Sequence, residues 1–272
     1  MNNIIKKIQL NTDTYLMRII NPEIAAHAKP GHFVIIKTSE QGERIPLTIS
    51  DTDDDWIEIT FQAIGLSTKL LAKLKEGETV RDLLGPLGKE KELIKRKRVL
   101  GVAGGVGVAP LYPQLKAFRN MDAKIDLVVG ARNIDNLLFL ERFESICHDI
   151  YLSTDDGSEG IKGTVIDVLK GLNLKVYDEI IVIGPCLMMK AVVDFCKHAK
   201  AFISVSLNPI MIDGTGMCGE CRVSINGESR FTCIDGPDFD GRAVDFNELA
   251  LRQKTFKDEE HLCQLEVSDE QT

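Results

Sequence analysis

Short apolar runs alternate with longer helical patterns after residue 98, and this order constrains the fold more than any other feature of the chain. Such runs are typical of strands buried on both faces of a parallel sheet. The runs lie at Val99–Val102, Ile125–Val129, Asp149–Ser153 and Ile180–Ile183, and the helical segments at Ala109–Phe118, Leu138–Cys147 and Leu187–Lys197. Alternating strands and helices build βαβ units with right-handed crossovers. Residues 98–200 are therefore predicted to form a parallel-sheet α/β domain.

Residues 1–97 have a different pattern, in which β-branched and aromatic runs are separated by turn residues, and the N-terminus already alternates like a strand. The runs lie at Tyr15–Ile20, His32–Lys37, Pro46–Ser50 and Trp56–Ala63. Short antiparallel strands at this spacing favour a small β-barrel or sandwich. One helix is predicted among them at Ser67–Lys75, with Ser67 as its candidate N-cap.

The chain beyond residue 200 is short of periodic structure. Its clearest element is a hairpin of Arg222–Ile225 and Ser229–Thr232 around an Asn-Gly pair that favours a type I′ turn. We predict a separate cysteine-organised module at residues 201–250 and a charged C-terminal tail at residues 251–272.

Composition and charge exclude several classes of protein. The chain has 272 residues with 33 Lys and Arg against 41 Asp and Glu, which gives a formal net charge of −8. Nucleic acid is not an expected partner, because neutralising phosphates needs clustered basic residues, and the one basic run, Lys95–Arg98, is predicted to be a solvated linker. No stretch approaches the roughly 20 apolar residues of a membrane span, and no secretory signal is expected. We expect a cytoplasmic protein with reduced thiols, since seven cysteines, including Cys263 in the tail, also make a poor disulfide framework.

Three cysteines lie close together in a glycine-rich segment. Plant-type [2Fe-2S] proteins use the spacing C-x4-C-x2-C with a distant fourth cysteine. Cys218, Cys221 and Cys233 occupy the last three positions here, and Asp213 occupies the first. The intervening glycines supply the dihedrals and N–H groups that a cluster-wrapping loop needs. We interpret the segment as an iron–sulfur site; the alternatives are a redox dithiol, a zinc site, for which the nearest histidine is His261 in the tail, and no metal.

A glycine-rich turn follows the first predicted strand of the α/β domain, where glycines let the backbone approach a pyrophosphate at a helix N-terminus. Its candidate residues are Gly104, Gly105, Gly107 and Pro110. Two later segments would reach the same carboxyl edge of the sheet, and they contain Asp155, Gly184, Pro185 and Met188. Arg132, after the second strand, could contact a 2′-phosphate or be a solvated residue, so these residues leave NAD and NADP open.

Two segments of the β domain have groups that could hold a flavin nucleotide. An arginine beside a strand can bind a diphosphate, a threonine hydroxyl can bond the ring, and the start of a helix offers N–H groups to phosphate. The candidates are Arg44, Pro46, Leu47, Thr48 and Ile49 in the first segment and Gln62, Gly65, Ser67 and Thr68 in the second. Taken alone, each is also ordinary strand and cap chemistry.

In their order along the chain, these three segments resemble the ferredoxin–NADP reductase-like flavoproteins, and within them the electron-transfer subunits that add a C-terminal [2Fe-2S] loop. The resemblance covers residues 1–250. Two groups of relatives share the pattern: electron-transfer subunits of type B dihydroorotate dehydrogenase, and small subunits of the electron-bifurcating NADH-dependent reduced ferredoxin:NADP oxidoreductases, also described as sulfide dehydrogenase beta subunits. The chain is more similar to the second group, which also has aspartate at the position of Asp213, where the dihydroorotate relatives have a first cysteine.

The resemblance implies a role for each matching residue. Pro46, Leu47, Thr48 and Ile49 match the family's flavin-ring segment, and Gly65, Ser67 and Thr68 match its FAD diphosphate segment. Gly104, Gly105, Gly107 and Pro110 match its nicotinamide-nucleotide loop, and Gly184, Pro185 and Met188 match the segment facing the nicotinamide. Asp213, Cys218, Cys221 and Cys233 match its cluster ligands.

The chain departs from the family pattern at two places. The family's arginine before its flavin-ring segment would fall at Ile45, whereas this chain has Arg44. Many relatives have a cysteine just before the Gly-Pro pair, whereas this chain has Ile183 there and Cys186 after it, so that Cys186 receives no catalytic role.

The resemblance implies a subunit of an oxidoreductase in which NAD(H) and FAD exchange a hydride. The [2Fe-2S] cluster would carry single electrons to a larger catalytic subunit with flavin and iron–sulfur centres, and through that complex to ferredoxin. NADH is implied rather than NADPH, with Asp155 or Asp156 accepting hydrogen bonds from a ribose. A dihydroorotate dehydrogenase partner is the alternative within this class. A non-enzymatic binding module with zinc at the three cysteines is the alternative of another class.

Overall fold

The computed structural model describes residues 2–40 and 42–256, and they form two sheets and a separate hairpin. The expectations for His261, Cys263 and most of the charged tail lie outside the described residues. The strands are β1 Ile4–Gln9, β2 Thr14–Ile20, β3 Phe33–Lys37, β4 Ile45–Thr52, β5 Trp56–Gln62, β6 Asp82–Leu87, β7 Arg98–Gly104, β8 Lys124–Ala131, β9 Asp149–Thr154, β10 Ile161–Lys162, β11 Glu179–Ile183, β12 Phe202–Ser206, β13 Arg222–Ile225, β14 Glu228–Phe231 and β15 Asp238–Asp240. The α-helices are α1 Pro22–His27, α2 Leu66–Lys73, α3 Val108–Asn120, α4 Leu140–Glu144, α5 Val165–Leu169, α6 Cys186–Cys196, α7 Thr232–Asp235 and α8 Phe246–Arg252. Within this part of the chain, none of the helices has the length and apolar character needed to cross a membrane.

The first sheet is antiparallel, with the strand order β1-β2-β5-β4-β3-β6. Its four predicted strands are confirmed as β2, β3, β4 and β5, and the alternating N-terminus is β1. Strand β6 was not predicted, because Gly85 and Pro86 interrupt its pattern; it pairs with β3. The inward side chains of these strands make an apolar core that also takes in Leu71 of α2.

Helix α2 begins one residue earlier than predicted, and Ser67 is not its N-cap. The cap is Gly65, whose N–H donates a hydrogen bond to Thr68 Oγ1 at 3.0 Å. Ser67 lies inside the first turn, where its hydroxyl donates to Glu43 Oε2 at 3.2 Å. The Thr68 hydroxyl satisfies the cap backbone from within the helix, so that the helix needs no capping side chain at Ser67.

The second sheet has the strand order β10-β9-β8-β7-β11-β12-β15, and all its pairs are parallel except β12 with β15. The four predicted strands are confirmed as β7, β8, β9 and β11. Strand β12 extends the parallel sheet beyond residue 200, where the sequence suggested the start of the cysteine-rich module. The chain leaves β7 toward β8 on one side and returns to β11 on the other. The carboxyl ends of β7 and β11 therefore flank a topological switch point, where ligands of open α/β sheets bind.

The interpretation of Lys95–Arg98 as a solvated linker is wrong for two of its residues. Arg96 Nε lies 3.0 Å from Glu179 Oε2, and Arg98 Nη2 lies 2.6 Å from Asp126 Oδ2. Both carboxylates are buried, so each needs a cationic partner. These two arginines therefore fix the start of β7 to its neighbours in the sheet.

Candidate functional site

One cavity of about 860 Å³ lies where the antiparallel domain, the α/β domain and the cysteine module meet. It brings together most of the residues predicted from the sequence. Those that line it are Pro46, Leu47, Thr48, Gln62, Thr68, Gly104, Gly105, Gly107, Pro110, Asp155, Gly184, Pro185 and Met188. Three segments that are distant in the sequence therefore face the same space.

Four predicted residues do not line the cavity. Ile49 is 3% exposed and packs in the core of the antiparallel domain, because its side chain lies on the inner face of β4. Gly65 and Ser67 lie at the start of α2, where the Ser67 hydroxyl bonds Glu43. Arg44 is exposed just before β4. Of the four candidates in the second predicted flavin segment, only Gln62 and Thr68 therefore line the cavity.

The turn after β7 is packed directly against the end of β11. A Cβ atom at Gly107 would lie 2.4 Å from the carbonyl oxygen of Ile183, and one at Gly104 would lie 2.4 Å from Met188 Sδ. Gly105, with φ +55°, has no atom within 4 Å of its Cβ position. Two of the glycines therefore allow close approach of backbone to backbone or side chain, and the third leaves open space at the start of α3 for a phosphate group.

The two residues predicted to distinguish the nucleotides, Arg132 and Asp155, both line the cavity. The Asp156 carboxylate instead accepts hydrogen bonds from the N–H and hydroxyl of Ser158 at 2.9 and 2.6 Å, and these bonds lower the pKa of Asp156. Of the two acidic candidates, only Asp155 lines the cavity. Arg132 remains beside it, so the geometry alone accommodates either nucleotide.

The segment Pro46–Thr48 of β4, which contains predicted flavin-ring residues, also lines the cavity. Thr48 is the cross-strand partner of Phe33 in β3. Thr60 Oγ1, in the same wall, is buried and has no hydrogen-bond partner among the described residues. An unpartnered buried hydroxyl, an apolar wall and a phosphate-sized opening at Gly105 fit a flavin nucleotide beside a nicotinamide nucleotide.

The predicted cluster ligands form two pairs. The Sγ atoms of Cys221 and Cys233 are 3.2 Å apart and buried. Asp213 is joined to Cys218 through the Cys218 N–H, which donates to Asp213 Oδ2 at 2.9 Å. In the described part of the chain, no three of these four residues have their ligand atoms within 4.8 Å of one another. A single zinc ion needs four converging ligands, which this arrangement does not present, whereas the close thiol pair of Cys221 and Cys233 suits one iron of a [2Fe-2S] cluster.

The loop around these ligands is shaped by glycines, as predicted. Gly214, Gly216 and Gly219 all have φ between +74° and +84°. Burial raises the pKa of Cys233 to about 12, and the adjacent Cys221 thiol adds to this effect. Asp213 is half-buried, and hydrogen bonds from the N–H groups of Thr215 and Cys218 lower its pKa. The donor set of three thiols and one carboxylate fits iron, which would stabilise the thiolate form of the buried pair.

The sequence did not reveal several residues of the cavity wall. Phe33, Leu207, Asn208, Met211 and Pro237 all line it. They come from β3 and from loops of the cysteine module, whose approach to the other domains depends on pairing of distant strands. Only the position of Phe33 in a predicted strand was visible beforehand.

Comparisons with known proteins agree with this geometry. A family model described as the oxidoreductase NAD-binding domain matches residues 102–194, and one described as the iron-sulfur cluster binding domain of dihydroorotate dehydrogenase B matches residues 208–245. A Thermotoga maritima protein named as a homolog of the dihydroorotate dehydrogenase B (NAD(+)) electron transfer subunit is 42% identical over 96% of this chain and 94% of its own length. An uncharacterised Clostridium beijerinckii protein is 45% identical over 100% of this chain and 96% of its own.

A solved structure of the NADH-dependent reduced ferredoxin-NADP oxidoreductase, described for its flavin-based electron bifurcation, has a chain with 39% identity to this one. The TM-score is 0.93, and the match covers 98% of both chains. The similarity therefore extends over all three parts of the fold, including the loop with the cysteines.

Fold and site together define an oxidoreductase chain with an NAD-binding domain and an iron–sulfur cluster-binding domain. The chain belongs to the family of dihydroorotate dehydrogenase B electron-transfer subunits and their homologues. The predicted resemblance, the fold class and the NAD(H) and iron–sulfur cofactors are thereby confirmed. A non-enzymatic, zinc-stabilised module is not supported.

Proposed function

We propose that the chain is the electron-transfer subunit of a flavin-based, NADH-dependent oxidoreductase and connects NAD(H) to a larger partner subunit through FAD and a [2Fe-2S] cluster. One observation carries this proposal: the predicted flavin-ring segment Pro46–Thr48 and the predicted nucleotide turn at Gly104–Gly107 line the same cavity. Two nucleotides in that cavity would meet at the switch point between β7 and β11. When bound, FAD accepts or donates a hydride and exchanges single electrons with the cluster.

In this proposal, the residues of the cavity bind and orient the two nucleotides. Pro46, Leu47 and Thr48 contact the flavin ring, and Gln62 and Thr68 lie toward its diphosphate. Gly105 and the N-terminus of α3 hold the pyrophosphate of NAD(H). Pro185 and Met188 bear on the nicotinamide, and the walls exclude water from the meeting point. We assign the cluster to Asp213, Cys218, Cys221 and Cys233.

We propose NADH rather than NADPH as the nucleotide. Asp155 lines the cavity and would accept hydrogen bonds from an unphosphorylated ribose, as a carboxylate does in other NAD sites. Arg132 is the competing feature, because it would favour a 2′-phosphate. Comparing NADH and NADPH as reductants of the wild-type chain, Asp155→Asn and Arg132→Ala tests the assignment. A preference for NADPH that is lost in Arg132→Ala would contradict it.

The partner subunit is proposed to dock where the cluster loop reaches the surface. Cys218 is exposed, and three large apolar side chains around the loop are also exposed: Ile212 at 52%, Met217 at 88% and Ile234 at 52%. Exposed large apolar side chains near one loop are typical of a protein interface. Electrons would thus leave the chain at the edge of the cluster opposite the cavity.

Two partners are considered. A bifurcating complex acting on ferredoxin is favoured by the match over 98% of both chains to the structure of that class and by the aspartate at position 213. A dihydroorotate dehydrogenase subunit is the second candidate, because the iron–sulfur model and several relatives carry that name.

Anaerobic native purification tests the proposal and distinguishes the partners. We expect one FAD, two irons and two acid-labile sulfides per chain, together with a larger flavin and iron–sulfur subunit in the same complex. A colourless, folded chain that takes up neither FAD nor iron would overturn the proposed function. A co-purifying dihydroorotate dehydrogenase would favour the second candidate.

We further propose the division into a FAD-binding domain at residues 1–97, a nucleotide-binding domain at 98–200, a cluster module at 201–250 that contributes β12 and β15 to the sheet of the nucleotide-binding domain, and a tail at 251–272. A cytoplasmic location is proposed because exposed thiolate ligands such as Cys218 persist in a reducing compartment.

A further inference from the structure

Strand β3 has two apolar faces that belong to different cores. Val34 and Ile36 point into the core of the antiparallel domain. Phe33 and Ile35 point to the opposite side, where the cysteine module covers them. Alternate residues of a strand face opposite sides, so this short strand joins both cores.

The core on the second side contains the buried pair of cluster ligands. It consists of Phe33, Ile35, Met211, Cys221 and Cys233, each at most 9% exposed. The two thiols thus pack on the outer face of the flavin-binding domain and belong to the same apolar cluster as its β3 side chains.

Two members of this core, Phe33 and Met211, also line the cavity; the others named for the cluster do not. Phe33 is the cross-strand partner of Thr48, which belongs to the proposed flavin-ring segment. Opposite residues in a ladder have neighbouring side chains. The Phe33 ring therefore lies next to the flavin-ring segment on one side and in the core of the cluster ligands on the other.

The Phe33 ring is tightly enclosed on the side of the cluster module. A Cβ atom at Gly88 would lie 2.9 Å from Phe33 Cε1 and 3.3 Å from the carbonyl oxygen of Gly236. The Lys89 N–H donates to that same oxygen at 2.6 Å, which fixes the module beside the ring. Phe33 is therefore closely packed against the segment at Gly88 and Gly236, on the side of the ring that faces the cysteine module.

We propose that the side chains of Phe33 and Met211 form the apolar bridge across which electrons pass between the flavin and the [2Fe-2S] cluster. This inference rests on the function proposed above. NADH supplies a hydride, which carries two electrons, and becomes NAD⁺. Each passage across the bridge moves one electron and reduces one ferric iron to ferrous iron, which the partner subunit then reoxidises. After the second passage the hydride's proton is released to solvent.

A second route to the cavity exists along the backbone. Cys233 and Pro237 are separated by three residues, Pro237 lines the cavity, and the Gly236 N–H donates to the Thr232 carbonyl oxygen at 3.2 Å. Shortening a side chain at Phe33 leaves this route intact. The two routes are therefore distinguishable by mutation.

The test uses the full chain loaded with FAD and cluster. Phe33→Ala removes the ring, Phe33→Leu keeps the bridge apolar and largely filled, and Met211→Ala opens it from the other side. Ile35→Ala is the matched control, because Ile35 lies on the same face of β3 and packs in the same core but does not line the cavity. For each variant, rapid mixing with NADH gives the rate of flavin reduction, and freeze-quenched EPR gives the rate of cluster reduction.

We expect Phe33→Ala and Met211→Ala to lower the ratio of the cluster-reduction rate to the flavin-reduction rate, and Phe33→Leu to restore part of it. Ile35→Ala leaves the ratio at its wild-type value. A second readout does not depend on NADH: with the cluster reduced chemically in D₂O, pulsed EPR detects more exchangeable deuterons near the iron in Phe33→Ala than in wild type.

An unchanged rate ratio in Phe33→Ala and Met211→Ala, with FAD and cluster bound, would overturn the bridge and assign the backbone route. If one of these variants loses FAD or fails to fold, the other, together with Phe33→Leu, decides. Absence of FAD or iron from the wild-type chain would instead refute the proposed function, so the two failures are distinguishable.

Discussion

Arg142 connects the α/β domain to a buried carboxylate of the antiparallel domain, and its removal should be costly. Arg142 Nη1 and Nη2 donate to Glu58 Oε1 and Oε2 at 2.6 and 2.9 Å. Glu58 is 0% exposed and also accepts hydrogen bonds from Arg18 and Ser50. Burial alone would raise the pKa of Glu58, but the hydrogen bonds and charge of Arg142, with further bonds from Arg18 and Ser50, hold it below its usual value.

Arg142→Met should lower the free energy of unfolding, because it removes one of the two cationic partners of Glu58. Removing one partner of a buried ion pair costs about 3–5 kcal/mol. Arg18 stays in place to neutralise Glu58, and the Arg142 side chain is 26% exposed, so we expect the low end, about 3 kcal/mol. Lys116→Met is the matched control, since Lys116 pairs with Asp51 between the same two domains but is 43% exposed. Such a pair contributes about 0–1 kcal/mol.

Equilibrium urea unfolding of the cofactor-loaded chain, followed by circular dichroism and by FAD release, measures both variants. Because the pKa of Glu58 is lowered in the folded chain, the free energy of unfolding depends on pH. Its stabilisation is fully present above the unfolded-state pKa of about 4.3 and is lost as the pH falls through the folded-state value. The difference between wild type and Glu58→Gln should therefore shrink below about pH 4.3. A cost of Arg142→Met no greater than that of Lys116→Met would refute the reasoning.

Four further substitutions test the glycine turn, the cluster ligands and the buried ion pair of Glu179. Gly107→Ala places a methyl group 2.4 Å from the Ile183 carbonyl oxygen, so it should lower the free energy of urea unfolding by about 1–3 kcal/mol and weaken NADH binding in calorimetry. Gly105→Ala lies in open space and should lower the free energy of unfolding by about 1 kcal/mol, because its backbone is left-handed. Equal losses in the two variants would argue against the close contact at Gly107. Asp213→Cys should keep the cluster but shift its reduction potential in a redox titration, and an unchanged potential would count against Asp213 as a ligand. Lys91→Met removes the buried ammonium 2.9 Å from Glu179 and should destabilise the chain to urea by about 3 kcal/mol, whereas a neutral result would indicate that Arg96 alone satisfies Glu179.

The parts of the fold predicted from the sequence are those with a strong local pattern. Strand β7, the glycine turn and α3 follow one another within one short segment, so apolar run, turn and helix start were all visible. Strand β12 was missed, because its five residues resemble the start of an irregular segment until β11 is placed beside it. The N-cap of α2 is Gly65 and not the predicted Ser67. A glycine has no side chain that marks a cap in the sequence, and here its N–H donates to Thr68 Oγ1.

The candidate site was visible where it consists of contiguous motifs. Glycines at 104, 105 and 107 and the spacing of Cys218 and Cys221 identified two of its parts. The bridge residues Phe33 and Met211 carried no signal, since a phenylalanine in a strand and a methionine in a loop are ordinary core residues. Their role follows only from β3 lying between two cores. Likewise, the pairing of Arg96 with Glu179 joins residues far apart in the sequence, so a basic run resembled a solvated linker.

The central claim is that this chain carries electrons from NADH through a flavin to an iron–sulfur cluster. Anaerobic addition of NADH to the purified complex, with absorbance of the flavin and EPR of the cluster followed together, tests it most directly. We expect the flavin absorbance to bleach first and the signal of a reduced [2Fe-2S] cluster to develop afterwards. A bound flavin and an intact cluster that both stay oxidised after NADH is added would contradict it.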